Sequence, residues 1–246
     1  MKHTLGILLS NLALVACNMS ADAQEADRGD RGGGPVTQRS FDLAGFDAVG
    51  LAGSPNVLVT VGGAHSVRAE GDAETLDRLE LRVEDGTLKI GTKKGSWSVG
   101  WTNRARTIIH VTVPALRGVS VAGSGDIRVD RVQGEAFEAS VAGSGDIELA
   151  QLQVGSANFS VAGSGNIKAR GTAQQASASV AGSGDIDAGA LQSRTATASV
   201  MGSGDVRLAA TETANISIMG SGDVYVSGPA RCSINKRGSG EVHCNA

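Results

Sequence analysis

The chain carries seven short loops whose residue types could do chemistry. Gly-Ser-Gly triplets begin at Gly123, Gly143, Gly163, Gly182, Gly202, Gly220 and Gly238. An acid or its amide follows each one: Asp126, Asp146, Asn166, Asp185, Asp205, Asp223 and Glu241. A glycine loop ending in a carboxylate can cradle a phosphate, ligate a cation or present a serine nucleophile. The phosphate reading fails on what comes next. A phosphate loop needs a Lys-Ser/Thr pair opening a helix, and here Ile or Val follows the acid. A catalytic serine needs a base within reach, and the four histidines lie outside the repeated motif.

The cation reading gives Asp126, Asp146, Asp185, Asp205 and Asp223 as calcium candidates. A hard cation takes about six oxygens or more, whereas the neighbours here are mainly Gly and Ser. The competing reading is structural. Each side chain accepts backbone N–H groups at the bend, a role that Asn166 fills as well as Asp. The serines then bond one another in a column. On this reading the chain needs neither metal nor cofactor.

A second candidate surface is "KIGTKKGSWSVGWTNRAR", residues 89–106. Lys93, Lys94, Arg104 and Arg106 surround Trp97 and Trp101. Exposed, this combination would suit a glycan, an acidic polymer or lipid headgroups. Buried, the tryptophans would fill the interior.

The cysteines divide into one and a pair. Cys232 and Cys244 flank the last Gly-Ser-Gly at inward positions, so a disulfide would close the final repeat. The alternatives are a metal site with His243 or two free thiols, but His243 has outward parity and no fourth ligand is apparent. Cys17 ends the apolar run "TLGILLSNLALVA" in "LVAC". The run is too short to span a bilayer, which needs about 20 residues. It resembles a bacterial lipobox, with Cys17 as the lipidation site and Asn18 directing the chain to the outer membrane. Ordinary signal cleavage after Ala21–Ala23 ("ADA") is the rival. Both readings export the protein, the second as a soluble periplasmic form.

The elements that must position these residues follow from the period. Successive triplets are 18 to 20 residues apart, the spacing of a solenoid. Within one unit Phe137, Ala139, Val141, Gly143, Gly145, Ile147 and Leu149 share one parity. Glu138, Ser140, Ala142, Ser144, Asp146 and Glu148 share the other. The first set faces inward on a strand. The pattern predicts an all-β chain: a single-stranded β-helix of about seven rungs over residues 119–246. A drifting period favours a right-handed coil. Insertions belong in the return segment. Stacked at about 4.8 Å per rung, the array would be about 30 Å long.

The preceding segment, 36–118, is β-rich but less regular. "ELRVEDGTLKI" alternates on both sides of Asp85-Gly86, a hairpin signal. "DAETLDRL" reads as a short helix capped by Asp72. "LAGSPNV" at Leu51–Val57 resembles a decayed repeat. Residues 1–16 read as the signal peptide and 17–35 as a lipidated cysteine with a polar, glycine-rich tether. Aromatic residues are 3% of the chain and glycines number 35 of 246, so the core must be narrow. A net charge of −3 offers no global attraction to nucleic acid.

The repeated "S-[VI]-x-G-S-G-[DNE]-[IV]", with "RSFDLAGFDAVGLAGSPNVLVTVGG" at Arg39–Gly63, resembles the GIN domain, an adhesin head. The resemblance spans roughly 39–244. It implies a β-helical fold and export and supplies no catalytic residues. The expectation is an envelope-anchored, non-catalytic module that binds or scaffolds a glycan, cell-wall polymer or envelope protein, held to the membrane by its N-terminal lipid. The alternatives are an enzyme acting on extracellular polysaccharide and a self-assembling envelope protein. The oligomeric state stays open.

Overall fold

The computed structural model describes residues 36–93 and 107–244. In chain order it begins with β1 (Val36–Phe41), β2 (Ala48–Gly53), β3 (Asn56–Val61), β4 (Ser66–Asp72), α1 (Ala73–Arg78), β5 (Leu79–Glu84), β6 (Thr87–Thr92) and β7 (Ile108–Val113). The regular part follows as β8 (Gly118–Gly123), β9 (Ile127–Val129), β10 (Val132–Gly143), β11 (Ile147–Gly163), β12 (Ile167–Gly182), β13 (Ile186–Gly202) and β14 (Val206–Gly220). It closes with β15 (Val224–Ser227), β16 (Arg231–Gly238) and β17 (Val242–Cys244).

The regular part is a β-solenoid of parallel coils in register. Gly123 pairs with Gly143, Gly143 with Gly163, Gly163 with Gly182, and so on to Gly238. The decayed copy joins the same column, with Gly53 opposite Gly123 and Val57 opposite Ile127. Register slips fall in the return segments, between Leu149 and Leu152, Lys168 and Arg170, and Ala188 and Gln192. Length variation is tolerated there because no glycine corner has to stay aligned.

Inward side chains interlock between rungs. Phe137 pairs with Ala157 and Ala139 with Phe159, so each ring lies beside a methyl of the next rung. All four are nearly fully buried. Alternating large and small residues keeps a narrow core at solid packing density.

The N-terminal part closes one end of the core. Chain order and stacking order part company here. The strands β6 and β7 lie against β2 and β3, while β8 and β9 lie on the other side of the same pair. Antiparallel strands complete this end: β5 on β6, β4 on β7, and β1 on β4. The hairpin between β5 and β6 turns through Asp85 (φ 50°) and Gly86 (φ 71°), both left-handed as a tight hairpin turn requires. Asp72 caps α1 by accepting the Thr75 N–H at 2.8 Å, and Leu76 anchors the helix in the core.

Candidate functional site

The corner motif repeats its glycines for two separate steric reasons. The first of each triplet has positive φ, 137° at Gly143, and is only partly buried. A Cβ there would point along the solenoid into the carbonyl of Gly123. The second, Gly145, is buried, and its Cβ would meet the Gly125 carbonyl and the Val121 side chain. Inward parity alone explains only the second. The first is excluded by its φ and by the closeness of the preceding rung.

The carboxylate column is bonded between rungs. Asp126 Oδ1 accepts the Asp146 N–H at 3.2 Å, and Asp146 Oδ1 accepts the Asn166 N–H at 2.9 Å. Asn166 Oδ1 accepts from Asp185 at 3.1 Å, Asp185 from Asp205 at 2.8 Å, Asp205 from Asp223 at 2.9 Å, and Asp223 from Glu241 at 2.8 Å. The donor is therefore the backbone of the next rung, not the local bend as sequence reasoning placed it. Asn166 also donates its amide to Asp146 Oδ1 at 2.9 Å, relieving the like-charge contact at that step. With Oδ1 engaged, each aspartate has one oxygen left to offer, and at Asp223 that oxygen accepts the Tyr225 hydroxyl at 3.5 Å, so few remain for a hard cation. Among the described residues no three His, Cys, Asp or Glu side chains converge as a metal site. Serine hydroxyl pairs form at the two ends of their column, Ser54 with Ser124 at 3.4 Å and Ser221 with Ser239 at 3.2 Å. The continuous hydroxyl ladder expected from the sequence is not formed between them.

Two residues beyond each acid, the outward positions form a ladder that sequence reasoning missed. Arg128, Glu148, Lys168, Asp187, Arg207, Tyr225 and His243 stand in one column. Arg128 pairs with Glu148 at 3.3 Å and Lys168 with Asp187 at 4.0 Å. The Arg207 guanidinium lies 5.1 Å from the Tyr225 ring centre, and the His243 ring stacks on the other side, centroids 4.7 Å apart. Partial burial pushes the Tyr225 phenol above its ordinary value, and the Asp223 and Asp205 carboxylates add to the rise. The strict alternation of sign at a period of 18 to 20 was the available signal.

Between this ladder and the acid column runs a groove of about 300 Å³. Asp126, Asp146 and Asn166 line one side, and Arg128, Glu148 and Lys168 the other. It offers carboxylate acceptors and cationic donors side by side, which suits a polyhydroxylated or mixed-charge ligand.

The other candidates separate. Lys94, Trp97, Trp101, Arg104 and Arg106 lie outside the described residues, as does Cys17. Lys93 is exposed and donates to the Asp77 carbonyl at 2.7 Å. Register places Leu51 opposite Ile90 and Asn56 opposite Ile108. Cys232 and Cys244 are joined across the last rung, with Cα atoms 6.5 Å apart. His243 faces Glu241 at 3.4 Å. His65 bonds the Phe46 carbonyl at 2.8 Å.

Comparison with known proteins agrees with this architecture. The family described as "Putative auto-transporter adhesin, head GIN domain" matches residues 45–230. A structure described as a putative adhesin from Bacteroides fragilis is 25% identical, with a TM-score of 0.79, over 85% of this chain and 96% of that one. A structure described as a putative lipid binding protein from Parabacteroides distasonis is 28% identical, with a TM-score of 0.69, over 86% and 97%. A third, a putative adhesin from Parabacteroides merdae at 18% identity and a TM-score of 0.67, shares the fold. No curated protein matches.

Proposed function

Because the chain belongs to the GIN-domain family, we propose that it is a non-catalytic, adhesin-like binding module that holds a repeating polar polymer, a glycan or cell-wall polymer, along its outer face. One observation carries this reading. The groove beside Asn166 is lined by Asp126, Arg128, Asp146, Glu148 and Lys168, which recur rung after rung at equivalent positions. A lattice of alternating donors and acceptors at about 4.8 Å intervals matches a ligand that itself repeats. The relatives described as putative adhesins support a binding role. Export, lipidation of Cys17 and anchoring in the envelope, with the outer membrane as the address, belong to the same proposal. So does a second contact through Trp97 and Trp101, with Lys93, Lys94, Arg104 and Arg106 beside them. An envelope protein with a repeating polar surface would use the same groove.

Affinity electrophoresis through gels containing cell-wall polysaccharide tests the reading. The wild-type chain should be retarded, and E148A/K168A should lose most of the retardation. A W97A/W101A variant measures the second contact. Free migration of the wild type through neutral and acidic polysaccharides alike would discard the proposal.

A further inference from the structure

We infer that the groove beside Asn166 runs on over the non-repeating part of the sheet and ends in a subsite for an anionic sugar, so that its ligand is an acidic polysaccharide. The inference rests on the binding role proposed above and names the ligand class. The outward ladder does not stop at Arg128. Register carries it on through Leu58, His110, Arg68 and Ser40, each beside the next. Arg128 belongs to both stretches, lining the groove and standing beside Leu58.

This stretch differs from the rest of the ladder in two ways. The first is charge. Along the repeats Arg128 meets Glu148, and Lys168 meets Asp187. Arg68 instead stands between His110 and Ser40. Arg68 and His110 are both exposed, and among the described residues neither side chain has a hydrogen-bond or ion-pair partner. The acids on this face are already engaged. Glu70 accepts from the Gln38 amide at 3.4 Å, and Asp130 accepts the Val61 N–H at 3.0 Å and the Arg131 N–H at 2.7 Å. Asp126 accepts the Asp146 N–H. The second difference is an apolar floor. Leu58 and Ile108 have outward parity, yet both are partly buried. Leu58 lies between His110 and Arg128, and Ile108 between Asn56 and Glu70. The next outward column adds the hydroxyls of Ser66, Thr112 and Thr60.

A small apolar floor rimmed by a few polar donors is what a sugar acid fits. Its C–H face lies on Leu58 and Ile108, and its carboxylate takes the Arg68 guanidinium and the His110 imidazole. A neutral glycan would leave Arg68 unpaired. A polyanion without rings would use Arg68 and leave Leu58 and Ile108 idle.

Affinity electrophoresis at neutral pH through gels containing polygalacturonate, its fully methyl-esterified form or polyphosphate provides the test. The wild type should be retarded most by polygalacturonate. R68Q/H110Q should weaken that binding about 10-fold and leave binding to the ester as it is. R68Q alone, at an exposed position, should give a smaller loss in the same direction. L58T should weaken binding to polygalacturonate about 3-fold. Equal retardation by polygalacturonate and its ester would overturn the inference, and so would unchanged binding by R68Q/H110Q. In either case the groove itself stands if E148A/K168A still loses its retardation by cell-wall polysaccharide. Polyphosphate binding as strong as polygalacturonate binding, with no effect of L58T, would replace the sugar acid with a bare polyanion and overturn the inference too. Free migration of the wild type through every polysaccharide gel would remove both readings.

Discussion

Asp185 Oδ1 accepts the backbone N–H of Asp205 at 2.8 Å, one full rung along the solenoid. The bond ties the corner of one coil to the corner of the next without any strand pairing. It also explains why the column tolerates like charges. At about 4.8 Å in water two unit charges repel by about 0.9 kcal/mol, and a hydrogen bond accepted by a charged group contributes about 1.5–3 kcal/mol.

The bond and the charge can be separated at that position. Asp185→Ala leaves the Asp205 N–H without its partner and should cost about 1–2 kcal/mol in urea denaturation. Asp185→Asn keeps the acceptor and removes a charge next to Asp205, so it should fall within about 0.5 kcal/mol of wild type, on the stabilising side at low salt. An Asn variant as damaged as the Ala variant would mean that the charge itself is needed, as for a bound cation.

The glycines make a sharper contrast. A Cβ at Gly165 would collide with the Gly145 carbonyl and lie 2.8 Å from Val141 Cγ1. Neither can move without shifting the preceding rung. Gly165→Ala should therefore cost about 3 kcal/mol or more. A Cβ at Gly134 meets nothing within 4 Å, and Gly134 is exposed on β10. Gly134→Ala should be neutral or stabilising by about 0.5 kcal/mol. Denaturation midpoints of the two variants check both sides, and equal losses would mean that the close approach of the coils is not what fixes the glycine.

Much of this was legible because a solenoid writes its packing locally. The inward set from Phe137 to Leu149 follows from strand parity, and the triplet spacing fixes which residues stack. Relations set by a neighbouring coil were harder to read. Asp126 bonds a residue 20 positions away, and the steric limit on Gly143 is the Gly123 carbonyl. The Arg128–Glu148 and Lys168–Asp187 pairs lie on the outward parity, where sequence reasoning assigns side chains to solvent. Nor does local pattern predict that β6 and β7 stack on the far side of β2 and β3 from β8 and β9. That order depends on the path the chain takes through β4, α1 and β5.

The helix cap gives a pH test. Asp72 Oδ2 accepts the Thr75 hydroxyl at 2.6 Å and Oδ1 the Thr75 N–H at 2.8 Å. The hydroxyl bond is the main cause holding the carboxyl below its ordinary value of 3.8, and the backbone bond adds to it. A depressed folded pKa contributes stability above the unfolded value and loses it as pH falls through the folded one. Asp72→Ala should thus cost about 1 kcal/mol at neutral pH. The difference should shrink as the pH drops below 3.8. Urea denaturation of both proteins at neutral and acid pH measures it, and a constant difference would show that ionisation of Asp72 does not matter to the cap.

The pair formed by Cys232 and Cys244 should act locally. It closes 12 residues of sequence, for which chain entropy gives about 3 kcal/mol. In a stack of coils each rung is held mainly by its neighbours, and this rung has a neighbour on one side among the described residues. Reduction should therefore free β16 and β17 before anything else moves. Hydrogen exchange on the oxidised and reduced protein separates the outcomes. Amides of β16 should lose protection by about 100-fold, the equivalent of about 3 kcal/mol. Those of Val141 and Val161, several coils inward, should keep theirs. A uniform loss across the solenoid would mean that the disulfide stabilises the whole array, and a mass showing two free thiols in protein purified without reductant would mean that it does not form.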